Sequence, residues 1–70
     1  MEIKIGDKVV LSMHMSYLKT AEPMPMLRPA DLVSHDETGE IVGLRSNDVA
    51  EVRFRRGTFL IPIDRLEKNA

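Results

Sequence analysis

The sequence contains no cysteine, which excludes disulfide bridges, a cysteine nucleophile and thiolate ligands for a metal. It also lacks any apolar run of the length that a transmembrane helix needs. Its first residues, MEIKIGDK, have neither the basic segment nor the apolar segment of a secretory signal. These absences predict a cytoplasmic protein that does not insert into a membrane and whose core is stabilised without covalent crosslinks.

Neither sign of charge dominates, since 10 Lys and Arg residues stand against 11 Asp and Glu residues. A general polyanion binder would be more basic. Aromatic residues are scarce, because Tyr17, Phe54 and Phe59 are the only ones and the core needs both phenylalanines. Proteins that bind single-stranded nucleic acids usually stack bases on exposed aromatic rings. Nucleic acid is therefore not the favoured partner.

Motifs for catalysis are missing as well. The two histidines, His14 and His35, are far apart and have none of the spacings of a metal site. No serine lies in a G-x-S-x-G turn, and the glycines form no phosphate-binding loop. Asp36 and Glu37 are adjacent, but they belong to a polar turn that leaves both as solvated charges. The sequence thus predicts a protein that is not an enzyme and that has no metal, cofactor or small-molecule substrate.

What the sequence does contain is a series of short strand patterns separated by turn residues. The clearest is VAEVRFR, in which Ala50, Val52 and Phe54 share one face, as in a sheet with one wet face. The dipeptide Arg56-Gly57 then predicts a tight turn into the next strand. The predicted strands are residues 3–12, 40–45, 49–55 and 58–61, with a short strand or helical turn at 31–34.

These elements predict an all-β fold, namely a small SH3-like β-barrel of about five antiparallel strands with a long loop after the first strand. Such a barrel closes the sheet edges that an open sheet of this length would expose. Residues 62–66 predict a short helical turn, because proline suits a first helical position. A chain of 70 residues holds one core, so residues 1–70 are predicted to form a single domain.

The segment KTAEPMPMLRP, residues 19–29, has neither a helical nor a strand period. Its prolines limit flexibility, and methionine side chains adapt to many surfaces, so the segment predicts a preorganised loop that docks a partner. In this hypothesis Tyr17 and one methionine anchor the loop, while Leu27 and Arg28 face the partner. The alternative is a lid over one open end of the barrel, with the methionines filling gaps.

Three arginines in the segment RFRR form a second candidate surface. They favour either a contact with phosphate or an acidic partner, or a charged outer face with Glu51 as a nearby partner. Together the two surfaces give the predicted partner-binding residues: Tyr17, Lys19, Met24, Met26, Leu27, Arg28, Arg53, Arg55 and Arg56.

The block KTAEPMPMLRP, preceded by GDKVVL and followed by TGEIVGL and VRFRRGTFLIP, resembles the cyanobacterial SipA family, whose name abbreviates NblS-interacting protein A. The resemblance covers nearly the whole chain. It implies a non-catalytic, monomeric SH3-like barrel that binds a sensor histidine kinase of the NblS type. It further implies that the barrel modulates the kinase's autophosphorylation and thereby two-component signalling in the stress response. The kinase's catalytic, ATP-binding region is the expected target, because a soluble cytoplasmic protein can reach it.

Two other functions remain open from the sequence. A KOW-like module that binds RNA or ribosomal partners shares the turn glycine and the small-barrel pattern. A small structural subunit of a photosynthetic electron-transfer complex is the other alternative, since small barrels also serve in that role.

Overall fold

The structure, a computed structural model, describes residues 3–13, 15–34 and 36–69. His14 and His35, considered above as metal ligands, lie outside the described residues. Within the described ranges the chain forms seven short strands and two 3₁₀ turns, at Ala30–Leu32 and Ile63–Arg65. The strands are β1 (Lys8–Leu11), β2 (Tyr17–Thr20), β3 (Leu27–Pro29), β4 (Gly39–Arg45), β5 (Val49–Phe54), β6 (Gly57–Pro62) and β7 (Leu66–Lys68).

All seven strands belong to one antiparallel sheet in the order β3-β2-β6-β5-β4-β1-β7. The sheet curls, because Leu18 of β2 and Leu66 of β7 belong to the same buried cluster although they lie near opposite ends of the order. In the described part of the chain no ladder joins β3 to β7, so the sheet is not closed by pairing. The all-β prediction is confirmed, with seven strands where about five were expected.

The strands β4, β5 and β6 form the consecutive hairpins that the sequence predicts. Ala50, Val52 and Phe54 are all buried, which confirms the inner face of β5. The β5–β6 turn differs by one residue from the prediction, because β5 ends at Phe54 and Arg55 already belongs to the turn. Gly57 closes this hairpin at φ 146°, a conformation that side chains rarely adopt.

The predicted long loop after the first strand is instead a hairpin formed by β2 and β3. Leu18 and Thr20 point inward and are buried, and the Thr20 Oγ1 accepts a hydrogen bond from the Met26 N–H at 2.8 Å. Tyr17 is 54% exposed and Met24 is 83% exposed. The buried anchors of the hairpin are Leu18 and Thr20 rather than Tyr17, and Met15, just before β2, packs partly buried against the core.

The second 3₁₀ turn lies where the sequence predicts a helical turn after Pro62, and it delivers Leu66 into the core. The first follows Pro29 and leads to the buried Val33. Neither turn exceeds three residues, and no helix in the described ranges has the length and apolar character needed to cross a membrane.

Candidate functional site

On the outer face of the sheet, the strands that come first in the sheet order, β3, β2 and β6, carry mostly apolar side chains. Because side chains alternate along a strand, the residues next to the buried Leu18, Phe59, Ile61 and Ala50 point to solvent. The register places them side by side, with Tyr17 opposite Pro29, Lys19 between Leu27 and Leu60, and Val49 opposite Pro62. We call this surface the apolar outer face; its residues are Tyr17, Leu27, Pro29, Val49, Leu60 and Pro62.

A groove opens in this face where β2 separates from β6. The ladder between them includes Lys19 with Leu60, and the Ala21 N–H donates to the Thr58 oxygen at 3.0 Å. The next bonded position would join Tyr17 to Pro62, but proline has no N–H to donate. The groove beyond has a volume of about 390 Å³. Its walls are formed by Met15, Ser16, Tyr17, Lys19, Asn47, Val49, Leu60, Pro62 and Arg65.

The other half of the sheet surface, on β1, β4 and β5, carries charges that are paired with one another, although β4 also exposes Val42 and Leu44. The Glu40 carboxylate lies 3.3 Å from the Lys8 ammonium and 2.9 Å from the Arg53 guanidinium. Glu51 accepts from Arg45 at 2.6 Å. Exposed pairs of this kind add little stability, but their charges are largely neutralised by one another. The charged half is therefore expected to attract a charged partner only weakly.

Two carboxylates have pKa values that the fold lowers. A hydrogen bond from the Lys4 backbone N–H holds the pKa of Asp7 below its ordinary value, and the Lys68 ammonium at 3.5 Å lowers it further. The Lys8 side chain is the main cause of the lowered pKa of Glu40, with Arg53 adding to it. Both carboxylates are thus held in the charged form by contacts that the unfolded chain lacks.

We expect the protein to lose stability as the pH falls from about 5 to about 3. A carboxylate whose pKa is lower in the folded state contributes stability above its unfolded pKa, and the contribution is lost as protons bind through the folded pKa. Urea unfolding at a series of pH values measures this loss. The double variant Asp7→Asn with Glu40→Gln should show a shallower decline over the same range, and an unchanged slope would contradict the assignment.

The prolines of residues 23–29 protect the free edge of the sheet. The Thr20 N–H donates to the Met26 oxygen at 2.9 Å, so Met26 and Arg28 direct their backbone groups toward β2. The alternate positions, 25, 27 and 29, direct theirs toward the open edge. Two of these three are prolines, which have no N–H. Only Leu27 can donate a hydrogen bond along this edge, which makes it a poor template for another strand.

Replacing Pro25 and Pro29 together by alanine is expected to cause concentration-dependent self-association, because two new N–H donors would complete the edge. Sedimentation velocity over a wide range of concentrations measures the effect. Pro23→Ala is the matched control, since Pro23 lies in the bend before the edge. A double variant that sediments like the unmodified chain at every concentration would show that the prolines do not guard the edge.

The structure brings together some of the sequence-predicted site residues and separates others. Tyr17 and Leu27 belong to the apolar outer face, Lys19 lies between Leu27 and Leu60 within it, and Met24 and Met26 extend from the same hairpin. The remaining predicted residues lie elsewhere: Arg28 and Arg56 line a cleft with Glu22, Arg53 is on the charged half, and Arg55 is in the β5–β6 turn.

The arginine cluster predicted from RFRR is therefore not one surface. Arg53 is bonded to Glu40, whereas the partner expected from the sequence, Glu51, is bonded to Arg45. Arg55 belongs to the turn, and its backbone N–H donates to the Glu37 carboxylate at 2.8 Å. Arg53 and Arg55 line one cleft together with Glu37 and Glu40, whereas Arg56 lines another cleft with Arg28.

Sequence reasoning missed the part of the site that comes from β5 and β6. Val49, Leu60 and Pro62 were assigned to strands or turns, and none of them was expected in a binding surface. The alternation of TFLIP could have shown that Leu60 points away from Phe59 and Ile61. Its position beside Lys19 depends on a pairing between distant parts of the chain, which a local pattern does not reveal.

Comparison with known proteins corrects the family expected from the sequence. No curated protein and no solved structure matches the chain. The model of one family does match, over residues 5–66, and it is described as Protein CHLORORESPIRATORY REDUCTION 42-like. The resemblance to the SipA family is therefore wrong, and so are the NblS-type histidine kinase partner and the signalling role derived from it. Because the match spans nearly the whole sequence, the chain belongs to the Chlororespiratory Reduction 42-like family.

Proposed function

We propose that this chain is a small structural subunit of a photosynthetic electron-transfer complex and binds that complex through the apolar outer face. The observation that carries the proposal is that apolar side chains of β3, β2 and β6 surround Lys19 on the outer face, with Leu27 and Tyr17 exposed and Leu60 and Pro62 half-buried. The family description, which names chlororespiratory reduction, supports the choice of complex. Contiguous exposed apolar surface bounded by polar residues is typical of a protein-binding site.

The contrast between the two halves of the outer face supports this choice of surface. On the charged half, Glu40 and Glu51 already have partners within the chain. On the apolar half, Leu27 is 63% exposed and packs against no partner strand on its outer side. Covering these side chains would remove apolar area from water, at about 25 cal/mol per Å². The apolar outer face therefore gains the most from a protein partner.

In this role the chain performs no chemistry, in keeping with the missing catalytic motifs in its sequence. A subunit of this kind acts by occupying a position and stabilising neighbouring subunits. We propose, as the sequence predicts, that the chain is cytoplasmic and contacts the complex from its aqueous side.

Copurification tests the proposal. A tagged chain expressed in a phototroph and recovered from membranes dissolved in mild detergent should bring down subunits of one electron-transfer complex in a constant ratio. Leu27→Asp should abolish that recovery, because it places a charge on the apolar outer face. Ile5→Asp is a matched control, since Ile5 is exposed to a similar extent, 65% against 63% for Leu27, in a turn that bonds to β4.

Two results would overturn the proposal. One is that no electron-transfer subunit is enriched over an untagged control. The other is that Leu27→Asp and Ile5→Asp recover the complex equally well, although both variants unfold at the same temperature as the unmodified chain. In the second case the complex would be bound by a surface other than the apolar outer face.

A further inference from the structure

We infer that the groove between β2 and β6 binds an extended acidic peptide segment, with an apolar side chain held between Tyr17 and Pro62 and with carboxylates paired with Lys19 and Arg65, the two basic side chains that line the groove. This inference deepens the proposed function, because the segment would belong to a subunit of the complex. The chemistry of the groove, rather than its exposure alone, selects this occupant.

The shape of the groove favours an extended chain. Its volume of about 390 Å³ lies at the small end of the range for binding pockets and suits one or two side chains. Along its floor the ladder between β2 and β6 stops because Pro62 has no N–H to offer to the Tyr17 carbonyl. An extended peptide can supply that N–H, as in the addition of a strand to a sheet. A compact ligand without a peptide N–H would not complete this bond.

The apolar part of the groove comes from both walls. Tyr17 contributes its ring from β2, while Leu60 and Pro62 lie opposite on β6. Tyrosine offers a large apolar surface at a small entropic cost, and such residues dominate many binding sites. An aliphatic or aromatic side chain inserted here would contact the ring on one side and the proline on the other.

The charges of the groove set the sign of the partner. Lys19 forms no ion pair with any other described residue, and the only ion pair of Arg65 is with Asp64 at 3.9 Å. Both basic side chains line the groove, and no acidic side chain among residues 3–13, 15–34 and 36–69 does. The chain as a whole has a net charge of -1, so this local excess of positive charge is not a general property of the surface. A carboxylate is the complementary group.

Acidic residues lie just outside the groove. Asp48 and Asp64 line the adjoining recess, which shares the Asn47, Val49 and Pro62 wall with the groove. A carboxylate of the partner would be repelled in that recess, whereas inside the groove it meets the basic side chains of Lys19 and Arg65. The partner's acidic residues therefore lie within the groove rather than beyond the wall.

A random-peptide phage library panned on the immobilised full chain tests the inference. We expect enriched peptides to contain Asp or Glu adjacent to an aromatic or aliphatic residue. The double variant Lys19→Glu with Arg65→Glu should bind these peptides at least about tenfold more weakly and should enrich peptides with Lys or Arg in place of the acid. Arg56→Glu, at the opposite end of β6, is the matched charge control and should behave like the unmodified chain.

Enrichment of basic or uncharged peptides by the unmodified chain would overturn the inference. So would equal binding of the acidic peptides to the double variant, provided that its thermal unfolding matches that of the unmodified chain.

The groove assignment and the proposed function can fail independently of each other. If the unmodified chain selects acidic, apolar peptides but copurifies with no electron-transfer complex, the groove assignment holds and the function does not. If the double variant copurifies as well as the unmodified chain, the groove assignment fails and the function holds.

Discussion

Replacing Leu18 by alanine is expected to lower the free energy of unfolding by about 2–5 kcal/mol. Leu18 is fully buried, and it is the one apolar side chain that β2 contributes to the core. The neighbouring strand β3 is exposed along its whole length and contributes nothing to the buried cluster. Truncation would leave a cavity beneath the hairpin that presents Tyr17 and Leu27. Urea unfolding measures the loss.

The effect should be visible locally as well as globally. The Met26 amide, bonded to Thr20 Oγ1, should exchange with deuterium faster in Leu18→Ala than in the unmodified chain. Leu27→Ala is the control, because Leu27 belongs to the same hairpin but is exposed, and its cost should stay within about 0.5 kcal/mol. Equal losses from both substitutions would mean that the hairpin is not held through Leu18.

Replacing Gly39 by alanine is expected to destabilise the protein by about 1–3 kcal/mol through overpacking. An added Cβ at Gly39 would lie 2.6 Å from Phe54 Cε1 and 2.6 Å from Val52 Cγ1, both on buried side chains of β5. Val52 is fully buried and Phe54 nearly so, so both belong to the packed core and the added methyl group would have to displace core side chains. The midpoint of thermal or urea unfolding measures the cost.

Gly43→Ala provides the matched comparison on the same strand. There the added Cβ would meet the Glu51 carboxyl group, with the nearest atoms at 2.9 Å. This group is the far end of a flexible side chain that can turn aside, so the cost should be smaller than at Gly39. A Gly43 variant as unstable as the Gly39 variant would indicate that strand propensity, rather than close packing, decides both results.

The sequence was informative where strands alternate and pair with their neighbours along the chain. The segment VAEVRFR predicts its own buried face, and the turns on both sides define the β4–β5–β6 hairpins. The sequence was uninformative for β2, Tyr17–Thr20, because only one of its two buried residues, Leu18, is apolar. The other buried residue is Thr20, so no apolar alternation marks the strand. Burial of Thr20 depends on its hydrogen bond to the Met26 N–H, which no hydrophobic pattern records.

The residues of the candidate site also fall into two groups, those that a local sequence pattern identifies and those whose position depends on pairing between distant strands. Tyr17, Lys19 and Leu27 could be named from the sequence because they lie within the unusual segment of residues 19–29 or just before it. Leu60 could not be placed beside them, since its pairing with Lys19 joins distant parts of the chain.

The prolines of residues 23–29 led to the wrong family for a physical reason. Prolines that prevent pairing at a sheet edge are required by the geometry of the fold, so they do not identify the binding partner of the protein.

Tyr17 also makes the groove optically observable. It is the single tyrosine of a chain that contains no tryptophan, so the near-ultraviolet emission of the protein comes almost entirely from one wall of the groove. A ligand that covers the ring changes its surroundings, and the change can be followed in the unlabelled, unmodified chain. The protein thus contains an intrinsic fluorophore at the position where binding is proposed.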